Sequence, residues 1–166
     1  MMRESAQKIE GVILKPLKVL HDDRGFLMEM LRCDDPFFER FGQVYVTCCA
    51  PGVAKAWHYH KEQTDHFVCM KGRALVVLYD PRPSSPSRGE IMEVLLGAPP
   101  GGGGAPQLLR IPAGVVHGFA ATQGDEAWIL NVPNRPYRYD SPDEFRLPWN
   151  SPEVPYTWPA DTQRGG

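Results

Sequence analysis

Residues Gly52 to Gly72 read Gly-Val-Ala-Lys-Ala-Trp-His-Tyr-His-Lys-Glu-Gln-Thr-Asp-His-Phe-Val-Cys-Met-Lys-Gly. A β-strand sends alternate side chains to opposite faces, so His58 and His60 leave one face together. Trp57 and Tyr59 leave the other, toward a packed layer or a substrate wall. Asp65 does not share the histidine face by parity, and the polar run Lys61-Glu62-Gln63-Thr64 supplies a turn that can bring it back. A second island, Ile111-Pro-Ala-Gly-Val-Val-His117-Gly-Phe119, sets a lone His between a Pro/Gly turn and an apolar run. The expectation is that His58, His60, Asp65 and His117 converge inside a β-sandwich.

The flanking sequence has the same character. Gly11 to Leu20 reads as an edge strand, because Pro16 cannot donate to a central ladder. His21 to Gly25 is a turn and Phe26 to Leu31 a strand; Asp34 to Arg40 carries the acid and early Pro of one short helix. Gln43 to Cys49 is β-rich. His66–Met70 and Arg73–Asp80, divided by Lys71-Gly72, look like paired strands. Strands are further expected at Glu90–Leu96, Leu108–Ile111, Val115–Ala121 and Ala127–Val132, and Gly101 to Gly104 is a flexible linker. Roughly ten short strands between Gly/Pro turns make the chain all-β, a sandwich or barrel. Beyond Asn134 the Pro- and aromatic-rich tail is expected to wrap the sandwich with Tyr137, Tyr139, Phe145 and Trp149.

A chain of 166 residues suits a single domain with a core about 11–133 and a wrapping tail 134–166. Its net charge of −2 supplies no global field for nucleic acid or a membrane surface. No apolar run reaches the roughly 20 residues that span a bilayer, and the N-terminal residues lack an apolar signal core. Cys33, Cys48, Cys49 and Cys69 show no Cys-x-x-Cys spacing, so they read as reduced, buried cysteines of a cytoplasmic protein.

The spacing is more specific than the composition. Gly52, His58-x-His60, Asp65 and Gly72 fall as in the first cupin motif, with Asp where Glu is usual, and Pro112-x-Gly114-x-x-His117 resembles the second. Within the cupins the chain resembles the dTDP-4-dehydrorhamnose 3,5-epimerase family. The matching pieces are Asp22-Asp-Arg-Gly-Phe26 with Glu29, Phe41-Gly-Gln43, Lys55-Ala-Trp-His58-Tyr59, Asp80 to Gly89, His117-Gly-Phe119 and Tyr156-Thr-Trp-Pro159. The resemblance implies a double-stranded β-helix (jelly roll) and a homodimer acting on a nucleotide-diphosphate sugar without an organic cofactor. It implies His58 as the base that removes a proton beside a sugar ketone. Arg24, Phe26 and Glu29 would meet nucleotide or sugar phosphate across a dimer interface. Lys55 stands where the family has a diphosphate-binding Arg; Gln43, Arg82, Trp57, His117 and Asn131 are further substrate-contact candidates. The family's enolate-stabilising Lys falls on or near His66, and its general-acid Tyr near Leu130 and Asn131. A one-centre epimerase or a ketoisomerase of a dTDP-4-keto-6-deoxy sugar therefore fits better than a full 3,5-epimerase.

Such chemistry needs a base with a pKa near neutrality, a stabiliser for the enolate oxygen and an acid for the proton's return. Asp65 or Asp143 is a candidate to orient His58. His66, His117 or Lys55 can carry positive charge to the enolate, and Tyr137, Tyr139 or Tyr59 can be the acid. Two rival readings use the same residues. His58, His60, Asp65 and His117 suit a divalent metal such as Zn, Fe, Mn or Ni. The general-acid Tyr of the family and the carboxylate of its C-terminal Lys-Asp stretch find no match here, which also suits a sugar-binding cupin without turnover. Each residue has a plainer reading too: Trp57 as core filler, Arg24 as a turn charge, and Asp143 with Glu144 as a capping pair.

Overall fold

The computed structural model describes residues 8–99 and 105–165. Thirteen strands run in chain order: β1 (Ile13–Pro16), β2 (Val19–Asp22), β3 (Gly25–Met28), β4 (Tyr45–Cys49), β5 (Val53–Tyr59), β6 (Asp65–Lys71) and β7 (Arg73–Tyr79). They continue with β8 (Ile91–Gly97), β9 (Gln107–Ile111), β10 (Val116–Ala121), β11 (Ala127–Asn131), β12 (Phe145–Arg146) and β13 (Arg164–Gly165). One sheet has the order β1-β9-β6-β11-β4; the other has β12-β5-β10-β7-β8, with β13 added in parallel beside β5. β2 and β3 form a separate hairpin. The two sheets face each other as the jelly-roll sandwich of a cupin, and no helix occurs among the described residues.

Alternation along the strands builds three apolar layers. On β7, Ala74, Val76 and Leu78 enter the main core between the sheets, where they meet Phe67, Leu109 and Ile129 of the first sheet. The other parity, Leu75, Val77 and Tyr79, faces outward into a second cluster. The second sheet is therefore apolar on both faces, and the tail covers the outer one with Leu147, Trp149, Val154, Tyr156 and Trp158. Trp57 is the anchor there, 1% exposed, 4.9 Å from the Trp158 ring and donating from Nε1 to Trp149 O at 3.0 Å. A third cluster, Leu17, Val68 and Leu108, lies under Met28, Met30, Leu31 and Phe37.

Several local expectations change. The chain between Asp34 and Arg40 makes isolated turns instead of a helix: Asp35 N and Phe38 N donate to Arg32 O and Asp35 O, and Asp35's carboxylate holds Lys15. Gly11–Leu20 divides, so that β1 is the edge of a sheet whereas β2 belongs to the hairpin, and the turn before Phe26 narrows to Asp23-Arg24. β6 and β7 are not paired; the chain changes sheet at Gly72. There φ is +68° and a Cβ would meet Glu126 O at 2.2 Å, so only glycine fits. Cys49 and Cys69 are buried, but Cys33 and Cys48 are exposed, and all four are free thiols. Tyr139 is 92% exposed, its ring set edge to face on Tyr137 at 5.1 Å, while the tail adds β12 and β13 as short edge strands. The Gly101–Gly104 linker lies outside the described residues.

Candidate active site

A cleft of about 760 Å³ opens at one end of the sandwich interior. β5 contributes Lys55 and His58, β6 contributes Asp65 and Phe67, and β10 contributes His117 and Phe119. Phe67 and Phe119 meet edge to face at 6.3 Å and separate the polar cleft from the apolar core. His58 and His117 are direct partners across the β5–β10 ladder. Between that pair and the Phe119–Lys55 pair the register shifts: Ala56 and Trp57 both oppose Gly118. This bulge puts Lys55 in the same cleft as His58, which simple alternation forbids. Gly118 is required because a Cβ there would lie 2.4 Å from that of Ala56.

Asp65 is the hub, buried at 1% exposure. Its Oδ1 accepts from Asn131 Nδ2 and Gln63 Nε2, both at 2.8 Å. Its Oδ2 lies 3.2 Å from His60 Nε2 and 3.4 Å from His117 Nε2. Burial works against its charge, but the hydrogen bond from His60 and the charges of the two histidines outweigh it, so Asp65 stays below the usual carboxylate range. Burial likewise opposes charge on His60, yet the hydrogen bond and charge of Asp65 lift it above its ordinary value. Burial lowers His117. For His58, burial and then the neighbouring positive groups His117, Arg146 and His60 push the imidazole down to about 3. His58 is thus a neutral ring with no hydrogen-bond partner among the described residues.

The tail closes the cleft. Asp143 accepts the backbone N–H groups of Lys61, Glu62 and Gln63 at 2.8–2.9 Å, which fixes the turn between His60 and Asp65. Its carbonyl accepts a hydrogen bond from His60 Nδ1. The cleft lining sets Arg40, Lys55, Lys61, Arg135, Arg138 and Arg146 beside Glu62, Asp143 and Glu144. Arg135 pairs with Glu62 at 3.0 Å and Arg146 with Glu144 at 2.7 Å. Arg40, Lys55 and Lys61 pair with no carboxylate among the described residues and suit a diphosphate. Lys55 Nζ donates to Thr47 Oγ1 at 2.6 Å.

The four residues of the convergence expectation do meet, and Gln43, Lys55, Tyr137, Tyr139 and Asp143 join them around the cleft. Other candidates do not. His66 points to the opposite face of β6, stacks on Phe37 at 6.0 Å and donates from Nδ1 to Val132 O at 2.8 Å. Strand alternation excludes it from the cleft that Asp65 and Phe67 line. Trp57 fills the outer cluster, and Tyr59 faces the same way, stacked on Phe145. Arg82 is held by buried Asp80 away from the cleft. Asp143 orients His60 and its turn instead of His58. Asn131 is fully buried behind Asp65 and donates to its carboxylate. Arg24 and Glu29 pair with Asp22 and Arg32 in and beside the hairpin, and with Phe26 they lie outside their own chain's cleft. Sequence reading missed Arg40, Tyr45, Arg135 and Arg146. Tyr45 accepts from Asn131 Nδ2 at 2.9 Å, and burial pushes its phenol up to about 12.

A jelly-roll sandwich with histidines and a carboxylate at its open end defines a cupin. Comparison with known proteins narrows the class. The dTDP-4-dehydrorhamnose 3,5-epimerase family matches over residues 6–164. The chain is 39% identical over 150 residues to the spore coat polysaccharide biosynthesis protein SpsL of Bacillus subtilis, covering 90% of this chain and 96% of the relative. It is also 39% identical to a probable low-salt glycan biosynthesis epimerase of Haloferax volcanii, covering 92% and 96%. The crystal structure of a dTDP sugar isomerase from Desulfovibrio desulfuricans superposes with a TM-score of 0.83 at 36% identity, covering 91% and 92%. The chain belongs to the dTDP-4-dehydrorhamnose 3,5-epimerase family, a group of cupin epimerases and isomerases of dTDP sugars.

Proposed function

We propose that the protein epimerises or isomerises a dTDP-linked 4-keto-6-deoxy sugar by removing the proton next to the ketone with His58. The observation that carries this reading is the position of the His58 imidazole, which has no hydrogen-bond partner among the described residues and lines one cleft with Lys55 and Arg40. A base must be unprotonated to act, and burial favours the neutral ring of His58. The enolate oxygen would develop its charge near His60, whose own charge is held by Asp65. Tyr137, on the tail side of the cleft, would return the proton, and Lys55 with Arg40 would take the diphosphate. None of these steps calls for an organic cofactor.

Absence of His66 and of a Tyr at Asn131 from the reacting face favours a one-centre epimerase or a ketoisomerase. Relatives named for spore-coat polysaccharide and low-salt glycan synthesis support a role in surface carbohydrate synthesis. We also infer a homodimer. Leu20, Phe26 and Leu27 of the hairpin and Val44, Val46 and Trp128 beside the β4 edge are exposed apolar groups, and burying them would let Arg24, Phe26 and Glu29 reach a neighbour's cleft. The deciding experiment is NMR of dTDP-4-keto-6-deoxyglucose with the enzyme in D2O. Deuterium entering beside the ketone, and lost in His58→Ala, supports the reading; no exchange by the wild type sinks it. Sedimentation at micromolar concentration tests the dimer.

A further inference from the structure

The hydrogen bonds around Asp65 orient three ligand atoms toward one point. His60 Nδ1 donates to Asp143 O and His117 Nδ1 donates to Val115 O at 3.1 Å. A backbone carbonyl only accepts, so each of these nitrogens carries the proton; His117 Nε2 is left as a site for a cation or a further proton, and so is His60 Nε2, which the Gln63 amide approaches at 3.3 Å. Both Nε2 atoms face the same carboxylate oxygen, Asp65 Oδ2, while Oδ1 is occupied by Asn131 and Gln63. His117 Nε2 and Asp65 Oδ2, 3.4 Å apart in a buried setting, are two acceptors turned toward each other unless something positive lies between them. The three ligand atoms all lie within 4.8 Å of one another.

We propose that His60, Asp65 and His117 form a divalent transition-metal site of the two-histidine, one-carboxylate kind, and that His58 stands outside it. This ligand set with open positions suits Fe2+, Mn2+, Zn2+ or Ni2+. The supporting layer is complete: each imidazole is held through its Nδ1 by a carbonyl, and the carboxylate is held through one oxygen by two amides, the arrangement that fixes ligands at metal centres. Without metal, a proton on His60 supplies the positive charge the carboxylate needs. With metal, the ion replaces it and serves His117 as well. The ring of His58 is 6.2 Å from that of His117 and lacks a comparable Nδ1 anchor, which leaves it free for proton transfer. The ligand set thus narrows from the four residues that sequence spacing suggests to three.

The test needs no substrate, so its outcome is independent of the proposed activity. Purified full-length protein is stripped with chelator, then titrated calorimetrically with Mn2+ and Zn2+ alone, and bound metal is measured by elemental analysis after gel filtration. About one ion per chain is expected, lost in both His60→Gln and His117→Gln and kept in His58→Ala. Circular dichroism must show each variant folded; if one is not, Asp65→Asn takes its place. Absence of binding by the wild type, or binding that survives loss of both His60 and His117, overturns the site. Loss of binding in folded His58→Ala overturns the separation of base from metal.

Discussion

His117 stands directly opposite His58 on the β5–β10 ladder, their rings 6.2 Å apart, yet only His117 is tied to Asp65. Two neighbouring imidazoles therefore have different surroundings, one anchored within a buried polar network and one loose in the cleft. Their replacement should separate chemistry from structure. His58→Gln removes a ring that no described residue hydrogen-bonds, so the fold should lose about 1 kcal/mol or less. Deuterium exchange should fall about 10²–10⁴-fold, the usual contribution of a general base. Exchange kinetics beside thermal melts check both halves; a large loss of stability with exchange intact would reverse the assignment.

Asn131 should show the opposite balance. Its Oδ1 accepts the backbone N–H of His66 at 3.0 Å, and its Nδ2 donates to Asp65 and to Tyr45. Asn131→Ala leaves the His66 N–H unsatisfied and weakens the hold on Asp65. The expected loss is about 1–3 kcal/mol for each buried group left without a partner. Urea unfolding measures it, and Asn131→Asp should be no remedy because it sets a second carboxylate beside Asp65.

How far the site was legible follows from the range of the interactions that build it. His58, His60, Trp57 and Tyr59 sort correctly by strand alternation alone, since that is a property of the local backbone. The return of Asp65 was readable from the polar turn, although the side chain that fixes this turn, Asp143, is far along the chain. Lys55 shares the cleft through a bulge at Ala56–Trp57 that appears only when β10 is laid alongside. His66 misleads because the spacing that places a charge near that position does not say which residue of the pair Asp65-His66 begins the inward parity. Arg40, Arg135 and Arg146 sit in loops without periodicity, and only the wrapping of the tail brings them to the cleft. The helix expected at Asp34–Arg40 failed because Asp35 is committed to Lys15 and the Arg32 backbone.

His66→Gln tests the correction directly. The residue lies behind the sheet against Phe37, with Nε2 buried and unpartnered. Turnover and exchange should stay within about 2-fold of wild type, while the melting temperature shifts with the altered packing. Substrate turnover alongside a melt decides this; a collapse of exchange in a folded variant would return His66 to the reaction.

Lys55 should act on binding. It pairs with no carboxylate among the described residues, so its charge is available to a ligand. Lys55→Ala should weaken dTDP binding about 5–10-fold, with the deficit shrinking at high salt because the contact is electrostatic. Calorimetry at two ionic strengths reports it. Equal affinity in wild type and variant at low salt would remove Lys55 from the phosphate site.

The buried histidines should set the acid side of the stability profile. Burial first, then positive neighbours, holds His58 down to about 3; burial also lowers His66 and His117. An unfolded histidine titrates near about 6.5. Below that value the unfolded chain takes up protons that the folded chain refuses, so folding weakens on acidification. The slope is at most about 1.4 kcal/mol per pH unit for each such group. His60 runs the other way: raised by Asp65 against burial, its contribution is complete below about 6.5 and fades as pH climbs through its folded value. Asp65, held below the carboxylate range, contributes above about 4 and is lost only in stronger acid. Three lowered histidines against one raised one predict a melting temperature that declines from about pH 6.5 toward 4. His58→Gln should make that decline shallower by up to one proton, because glutamine has nothing to titrate. Melts of both proteins from pH 4 to 8 measure the difference; parallel curves would mean that His58 takes up its proton as readily in the folded protein as in the unfolded chain, so that burial does not lower it.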